Sequence, residues 1–305
     1  MPKVQHFHPS GPGSYVLVTA AYNEEANLQR TIDSVAAQTI RPGQWVIVDD
    51  GSTDQTPRIV AEAVAQHGFI KGLRVEKVAG HCYGAKARAL NRGIESIPVG
   101  AWRFLGVLDA DLGFEAGYFE SVLAKFQEDP RLGISGGLVV EEHEGRVTPQ
   151  NISQDTSVAG GVQLFRRECF ERLGPFRELP HGGEDSLMEI TARYHGWRVR
   201  TIPELKVRHF GYVGRGSGSL LRAKYRRGLS FYHLGYHPLF QFVRCLAHLA
   251  SRPWIVGSVV EWWAFMGSYL RRERRFLDPV VIEFLRREQI RRLLGRNSGG
   301  AGERA

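Results

Sequence analysis

The stretch FLGVLDADLG, residues 104–113, joins a short apolar run to two acidic side chains. Residues 104–108 have the length and composition of a buried strand, and Asp109 and Asp111 follow them directly. Ligands of open α/β sheets bind beyond the carboxyl ends of the strands, which is where this DXD motif would lie. Mg²⁺ and Mn²⁺ are commonly held by one or two carboxylates together with substrate phosphates. Taken alone, the motif fits either a metal–diphosphate site or a solvated acidic turn.

Apolar runs and helical periodicity alternate on both sides of this stretch. The alternation at short spacing predicts an α/β domain, with a mostly parallel sheet and helices on both faces. Asn23 is expected to cap the first helix, with Glu24 and Glu25 in its first turn. Strands are predicted at 15–19, 45–48, 73–78, 102–108, 134–140 and 160–165, a loop at 141–157, and helices at 84–97, 118–127 and from Glu184.

Each of the strongest predicted strands ends in polar residues. The first is followed by Tyr22, Asn23 and Glu24, the second by the acidic stretch 49–54, and the fourth by the DXD motif. The carboxyl ends of parallel strands meet at one edge of a sheet, so these residues are expected to converge there. The sequence has no G-x-G-x-x-G after the first strand and no Walker A motif, which argues against a dinucleotide-binding or P-loop protein.

Five motifs in this order resemble family 2 glycosyltransferases of the GT-A fold, which is Rossmann-like. They are VTAAYNEEANL, VDDGSTDQT, GAKARALNRGIE, LDADL and GGEDSLMEI, and the resemblance covers residues 14–212. It implies transfer of a sugar from a nucleotide diphosphate donor, mostly with inversion and with Mg²⁺ or Mn²⁺. The later segments FGYVGRGSGSLLRAKYRRG and LGYHPLF are similar to bacterial exopolysaccharide and O-antigen glycosyltransferases, which implies a role in cell-surface polysaccharide biosynthesis.

The resemblance assigns the donor-binding residues. Ala20 and Tyr22 correspond to the backbone and ring that face the nucleobase, and Glu24 would reach the base or the ribose. Asp50 corresponds to the acid that accepts an N–H of uracil or guanine. Lys86 corresponds to the lysine near the base or the phosphates. The implied donor carries UDP, GDP or dTDP.

The same resemblance assigns metal and catalytic residues. Asp111 would be the direct metal ligand, Asp109 would contact ribose or metal, and His209 would add a metal or diphosphate contact. Asp185 corresponds to the catalytic base, and Glu184 beside it would orient acceptor or base. From the residues alone, His209 is equally consistent with a packed or capping histidine. An Asp at the start of a helix, such as Asp185, is more commonly a simple cap, and only the family pattern favours the catalytic role.

The basic charge lies in the C-terminal third. Residues 213–305 contain 17 Lys and Arg against 6 Asp and Glu, a net charge of +11, whereas the first 212 residues carry −3. We predict a loose segment at 1–13, a catalytic domain at 14–212, a basic amphipathic helical region at 213–295 and a disordered tail at 296–305. Such a basic region favours an anionic membrane surface. No nucleic-acid-binding module surrounds the charge, so no nucleic acid partner is expected.

The run at 254–270 is apolar apart from Glu261, and four arginines follow it within 271–275. It is short for a membrane span, and a helix lying in the membrane interface or an ordinary packed helix are the other interpretations. The N-terminus lacks a secretory signal pattern, and the three cysteines have no zinc or disulfide spacing. The expected location is therefore cytoplasmic, peripheral on the inner face of the membrane.

Three functions stay open beside an inverting transferase that acts on a lipid-linked saccharide. They are a retaining transferase of the same fold, transfer to polyprenyl phosphate, and a non-catalytic subunit that binds nucleotide sugar. Residues 81–83 and 174–176 depart from the usual family pattern near the expected acceptor side, which leaves the acceptor undetermined.

Overall fold

The computed structural model describes residues 15–76, 84–98, 100, 102–143, 146–149, 155–211, 220–249 and 254–295. The predicted segments at 1–13 and 296–305 and the residues 81–83 lie outside this description. The strands are β1 (Tyr15–Ala21), β2 (Gln44–Asp49), β3 (Ile70–Arg74), β4 (Phe104–Asp109), β5 (Leu112–Phe114), β6 (Leu132–His143), β7 (Arg146–Pro149), β8 (Val162–Arg166) and β9 (Arg198–His209). The helices are α1 (Leu28–Ala36), α2 (Thr56–Gln66), α3 (Ala85–Glu95), α4 (Tyr118–Glu128), α5 (Arg167–Leu173), α6 (Glu184–Tyr194), α7 (Leu220–His233), α8 (Pro238–Ala247), α9 (Trp254–Leu270) and α10 (Pro279–Leu293).

The chain forms two compact units. The first unit comprises residues up to Glu178 and His195–Gly211, and the second comprises Leu179–Tyr194 and the chain after Gly211. Helix α6 therefore belongs with the C-terminal helices, although it lies between two strands in sequence. The domain boundary expected at residue 212 stays a prediction.

The first unit contains one sheet with strand order β3-β2-β1-β4-β8-β6-β9-β5, and β7 pairs with β6. The pairs β1–β2, β1–β4 and β2–β3 are parallel, as the alternation of strands and helices predicts. Beyond β4 the sheet becomes mixed, because β8 runs antiparallel to both β4 and β6. The predicted α/β class is confirmed.

Helices cover both faces of this sheet. The ring of Tyr15 stacks on Phe119 of α4 with centroids 5.0 Å apart. Val18 points the other way, because alternate residues of a strand face opposite sides. There α3 approaches so closely that a Cβ on Gly93 would lie 2.5 Å from a methyl group of Val18. The core is therefore built from the apolar runs that the sequence shows.

Three local predictions are wrong. Asn23 does not cap α1, which begins at Leu28, because its side chain bonds to the loop after β2. Strand β3 begins at Ile70 rather than residue 73, since it pairs in register with β2 from Trp45 onward. The stretch expected as a loop at 141–157 contains the end of β6 and the short strand β7, which pair as antiparallel neighbours.

The second unit is helical, as predicted. One apolar cluster joins α6 to the segments around α7 and α10, and its buried members are Leu179, Leu187, Ile190, Leu234, Leu277, Val281, Ile282 and Leu285. A second cluster links α7 and α9 through Phe231, Tyr232 and Phe265. Among the described residues, no helix combines the length and the apolar character needed to cross a membrane.

Candidate active site

The carboxyl ends of β1, β2 and β4 lie side by side. In the register of the sheet, Ala20 pairs with Val48 on one side and with Asp109 on the other. The backbone N–H of Asp50 donates to the carbonyl of Ala21 at 2.9 Å. The predicted donor-binding positions Ala20 and Asp50 are thus joined to Asp109 by strand register and main-chain hydrogen bonds.

The loop after β1 is tied to the loop after β2 by reciprocal hydrogen bonds. The Asn23 N–H donates to Ser52 Oγ at 3.0 Å, and Asn23 Oδ1 accepts from the Thr53 N–H at 2.9 Å. The Glu24 N–H donates to Thr56 Oγ1 at 2.8 Å. Asn23 has φ of +54°, a left-handed conformation that asparagine tolerates better than most residues. These bonds hold Glu24 in place, whereas Tyr22 remains 41% exposed on the same loop.

Three carboxylates gather at this edge with a lysine and a histidine. Lys86 Nζ lies 2.5 Å from Asp109 Oδ1, and His209 Nε2 lies 3.1 Å from Asp111 Oδ2. The pKa of Glu24 is raised to about 7, first by burial and then by the nearby charges of Asp111 and Asp109, against the opposing effect of His209. The structure therefore brings together five of the predicted site residues.

His209 reaches the site through a strand pairing that is distant in sequence. Strand β9 places His209 opposite Leu112 of β5 and opposite Glu141 of β6. The hydrogen bond to Asp111 raises the pKa of His209 although its burial acts in the other direction. Its Nδ1 is buried, lies 3.9 Å from the Glu141 carboxylate and has no hydrogen-bond partner among the described residues.

This donor set fits a divalent cation that is shared with phosphates. No group of three or more His, Cys, Asp or Glu side chains within the described residues is placed to hold a metal by itself. Asp111 and His209 supply two donor atoms, and Mg²⁺ or Mn²⁺ commonly takes the rest of its ligands from water and substrate phosphates. Asp109 contributes negative charge beside them while it bonds to Lys86. Asp111 and His209 would hold the ion together with substrate phosphates, with Asp109 beside them.

Sequence reasoning missed several residues that shape this edge. A Cβ on Gly161 would lie 2.3 Å from Asp109 Oδ2, and one on Gly211 would lie 2.1 Å from Asp111 Oδ2. Thr31 Oγ1 donates to the Ala110 carbonyl at 2.8 Å and accepts from the Leu112 N–H at 3.0 Å, which holds the turn that carries both aspartates. The positions of Gly161 and Gly211 beside strand ends could have suggested a role at this edge. The sequence does not show which side chains these glycines approach.

Glu184 and Asp185 occupy the first turn of α6, in the second unit. Gly182 and Gly183 precede them with φ of +74° and +96°, a left-handed conformation that favours glycine. Ser230 Oγ of α7 donates to the Gly182 carbonyl at 3.0 Å, so α7 helps to hold this turn. Asp185 Oδ1 accepts from the Ser186 N–H at 2.7 Å. The roles of both acidic residues stay predictions.

Comparison with known proteins identifies the family. Residues 16–183 match the family described as Glycosyl transferase family 2, which covers more than half of the chain. The chain belongs to that family. The family predicted from the five motifs is therefore confirmed.

The curated relatives are moderately similar and longer. The beta-monoglucosyldiacylglycerol synthase of Nostoc sp. is 31% identical over 205 residues, which are 66% of this chain and 42% of that protein. The poly-beta-1,6-N-acetyl-D-glucosamine synthase of Staphylococcus epidermidis is 31% identical over 118 residues, or 39% and 26% of the two chains. The chain thus spans less than half the length of these relatives.

Solved structures support the fold at low sequence identity. The mannosyltransferase PcManGT from Pyrobaculum calidifontis, in complex with GDP-Man and Mn²⁺, gives a TM-score of 0.54 at 19% identity and covers 86% of this chain and 74% of its own. TarS of S. aureus in complex with UDP gives 0.52 at 16% identity, with 87% and 94% covered. These similarities confirm the predicted GT-A fold.

Proposed function

We propose that this family 2 glycosyltransferase moves one sugar from a nucleotide diphosphate donor to a hydroxyl group of a saccharide, with a divalent metal ion and with inversion. The observation that carries the proposal is the gathering of Glu24, Lys86, Asp109, Asp111 and His209 at the carboxyl ends of β1 and β4. Ala20, Tyr22 and Asp50 at the same edge would contact the nucleoside.

The chemistry requires charge stabilisation at the leaving group. A nucleoside diphosphate gains negative charge as its bond to the sugar breaks, and preorganised positive charge lowers the energy of that transition state. A bound Mg²⁺ or Mn²⁺ would supply such charge. Asp111 and His209 would position that ion, and Lys86 would remain close through its bond to Asp109.

Inversion requires one base that takes the proton of the acceptor hydroxyl as it attacks the opposite face of the sugar. We assign this role to Asp185. Its Oδ1 bonds to a backbone N–H, which fixes the orientation of the carboxylate at the start of α6. Glu184 precedes it in the same turn and would orient the base or the acceptor.

The donor and acceptor classes follow from similar proteins. Solved neighbours carry GDP-Man with Mn²⁺ or UDP-GlcNAc, which supports a nucleotide sugar here. The named relatives are synthases of a poly-N-acetylglucosamine and of a glucosyldiacylglycerol, which supports a role in making cell-surface polysaccharide or glycolipid. We propose a lipid-linked saccharide as acceptor, reached from the cytoplasmic face of the membrane by a peripheral protein.

Calorimetry with Mn²⁺ and UDP, GDP or dTDP tests the metal assignment. We expect Asp111→Ala to abolish the Mn²⁺-dependent part of nucleotide binding, because this carboxylate is the proposed direct ligand. Asp33→Ala serves as control, since Asp33 lies on an exposed part of α1 in the same unit. Equal Mn²⁺-dependent affinity in Asp111→Ala and wild type would remove Asp111 from the metal site.

Two further measurements separate a catalyst from a binding subunit. A thermal-shift panel of UDP-, GDP- and dTDP-sugars with Mn²⁺ identifies the donor, because a ligand of the folded state raises its stability. Release of nucleotide from that donor by purified protein then reports catalysis. A donor that binds tightly but is neither transferred nor hydrolysed would favour the non-catalytic alternative.

A further inference from the structure

Helices α8 and α9 bury several polar groups, beside the apolar Ala264 and Phe265 of α9, and expose apolar groups. Gln241 and Cys245 of α8 are buried, as are Ser258, Glu261 and Ser268 of α9. The exposed large side chains of the two helices are apolar or aromatic, namely Leu239, Phe242, Val243, Leu246, Ile255, Val256, Val259, Trp263, Tyr269 and Leu270. A helix that faces water on one side shows the opposite arrangement.

The inward polar groups form a buried ion cluster around Glu261. Its carboxylate accepts hydrogen bonds from Arg227 at 2.6 Å, Gln241 at 3.0 Å and Arg244 at 3.3 Å, and Lys224 lies 3.9 Å away. Burial alone would raise the pKa of Glu261, but the charges of Arg227 and Arg244 outweigh it and lower this pKa. Three cations thus meet one carboxylate, which leaves positive charge directly beneath the two helices.

The apolar side chains form one surface, which we call the α8–α9 face. Residues 255, 259, 263 and 270 follow helical spacing and therefore lie on one side of α9. Trp262 is at the border of that side, where its ring meets Phe242 of α8 with centroids 5.4 Å apart. Trp263 is 76% exposed. Contiguous exposed apolar surface of this kind marks a site of interaction with a protein or a membrane.

Charge complementarity selects the partner. Arg271 and Arg272 follow Leu270 at the end of α9 and are exposed, so cationic side chains border the α8–α9 face as well as underlie it. Apolar and aromatic residues flanked by cations are the pattern of helices that lie in the interface of an anionic membrane. We propose that the α8–α9 face inserts into the headgroup region of a bilayer that contains anionic phospholipid. This inference rests on the proposed peripheral membrane location and names the surface responsible.

Vesicle flotation with paired variants tests the apolar part. We expect the double variant Val259→Gln/Trp263→Gln to lower the ratio of bound to free protein at least tenfold on vesicles of phosphatidylcholine and phosphatidylglycerol. The control is Val64→Gln/Leu294→Gln, which changes exposed apolar residues of α2 and of the end of α10. This control should stay within twofold of wild type. Circular dichroism checks that both variants fold.

The double variant Arg271→Gln/Arg272→Gln tests the contribution of the arginines that border the α8–α9 face. Its control is Arg58→Gln/Arg92→Gln, which removes the same charge from exposed positions of α2 and α3. We expect the first pair to reduce binding to anionic vesicles severalfold at low salt and the second pair to leave it within twofold. Binding by wild type should fall strongly on vesicles of phosphatidylcholine alone. Equal binding to both lipids would overturn the anionic assignment.

Two further outcomes would overturn the proposal. The first is equal flotation of Val259→Gln/Trp263→Gln and its control. The second is that the wild-type protein fails to bind vesicles and instead forms a dimer in light scattering, which Val259→Gln/Trp263→Gln does not form. A second copy of the chain would then cover the face. Mn²⁺-dependent nucleotide binding, measured without vesicles, should be unchanged in all these variants. If the wild-type protein showed no Mn²⁺-dependent nucleotide binding, the proposed function would be contradicted. Flotation would still test the surface proposal separately.

Discussion

The two compact units differ in where their charged and apolar side chains lie. The first unit buries apolar strands and gathers the carboxylates of its candidate site where the strands end, partly open to solvent. The second unit buries a carboxylate of α9 beside three cations from α7 and α8, and α8 and α9 turn apolar side chains outward. Glu261 lies in an apolar run and yet is buried, so a charged residue in such a run does not show which side of the helix faces water.

The largest effect is expected at the buried carboxylate of the second unit. Glu261→Ala leaves Lys224, Arg227 and Arg244 without the carboxylate that they share. Removing one partner of a buried ion pair commonly costs about 3–5 kcal/mol, and we expect a loss of this size in the free energy of unfolding. Urea denaturation followed by circular dichroism measures it. Glu283→Ala is the control, because Glu283 is exposed and pairs only with the exposed Arg287 in the described structure.

The same carboxylate should make the stability of the protein depend on pH. The pKa of Glu261 is lowered in the folded state, since the neighbouring arginines outweigh its burial. A depressed folded pKa contributes stability that is present above the usual glutamate pKa and is lost as the pH falls below it. Glu261→Gln should flatten this acid dependence relative to wild type. An unchanged acid profile, or a loss no larger than that of Glu283→Ala, would show that the cluster is not a stabilising element.

The next largest effect concerns the acidic turn of the second unit. Asp185→Asn keeps the size of the side chain but removes its ability to take a proton, so we expect transfer to fall roughly 10²-fold or more, equal to about 2.7 kcal/mol. Donor affinity should stay close to wild type, because the proposed donor contacts lie in the first unit. Steady-state kinetics and calorimetry measure the two quantities.

A second helix start provides the control for that experiment. Asp278 is the residue before α10 and makes no side-chain capping hydrogen bond, so Asp278→Asn should leave transfer unchanged. Near-normal turnover of Asp185→Asn would contradict the assignment, and Glu184→Gln would then show whether the neighbouring carboxylate is the base.

Much of the first unit was predictable because its signals are local. Apolar runs that end in polar residues predict strands with a ligand edge, and the edge contains Glu24, Asp109 and Asp111 as expected. The antiparallel insertion of β8 was not predictable, since periodicity carries no pairing information. For the same reason the contact between His209 and Asp111 becomes visible only through the pairing of β9 with β5.

The second unit was predictable in its helices but not in their orientation. The spacing of apolar residues at 254–270 indicates a helix, and α9 has these bounds. A helical pattern shows which residues share a side and not whether that side meets a core, water or lipid. For this reason the sequence left three interpretations of α9 open. The partners of Glu261 come from α7 and α8 and are unrelated to it by spacing.

A smaller effect is expected where α7 meets the acidic turn. Gly183 has φ of +96°, and a Cβ there would lie 2.4 Å from Ser230 Oγ. Gly174 in the first unit also has a positive φ, of +77°, but has open space around its Cβ position. With ψ of −169°, Gly174 lies in a backbone region that is essentially limited to glycine and costs other residues about 1–3 kcal/mol, so Gly174→Ala should lose about that much stability. Gly183→Ala should lose more, because the new methyl group also displaces Ser230.

Thermal and urea unfolding compare these two alanine variants. Equal losses would indicate that Ser230 rotates away freely and that α7 does not restrain the turn. Ser230→Ala then gives the complementary measurement, since it removes the hydrogen bond to the Gly182 carbonyl without changing the backbone. A typical loss for such a bond is about 1 kcal/mol.

The smallest effect is expected where both units face water in the same way. Arg58 and Glu62 on α2 and Arg287 and Glu283 on α10 are exposed pairs four residues apart. Such pairs contribute about 0.3–0.5 kcal/mol, because solvent screens the charges and two long side chains lose freedom. Arg58→Ala and Arg287→Ala should therefore change the free energy of unfolding by less than about 1 kcal/mol each, as urea denaturation can measure. A large loss of stability for Arg287→Ala alone would indicate that α10 also relies on a charged group, as the buried cluster of α8 and α9 does. Equal small losses for both variants would limit that arrangement to α8 and α9.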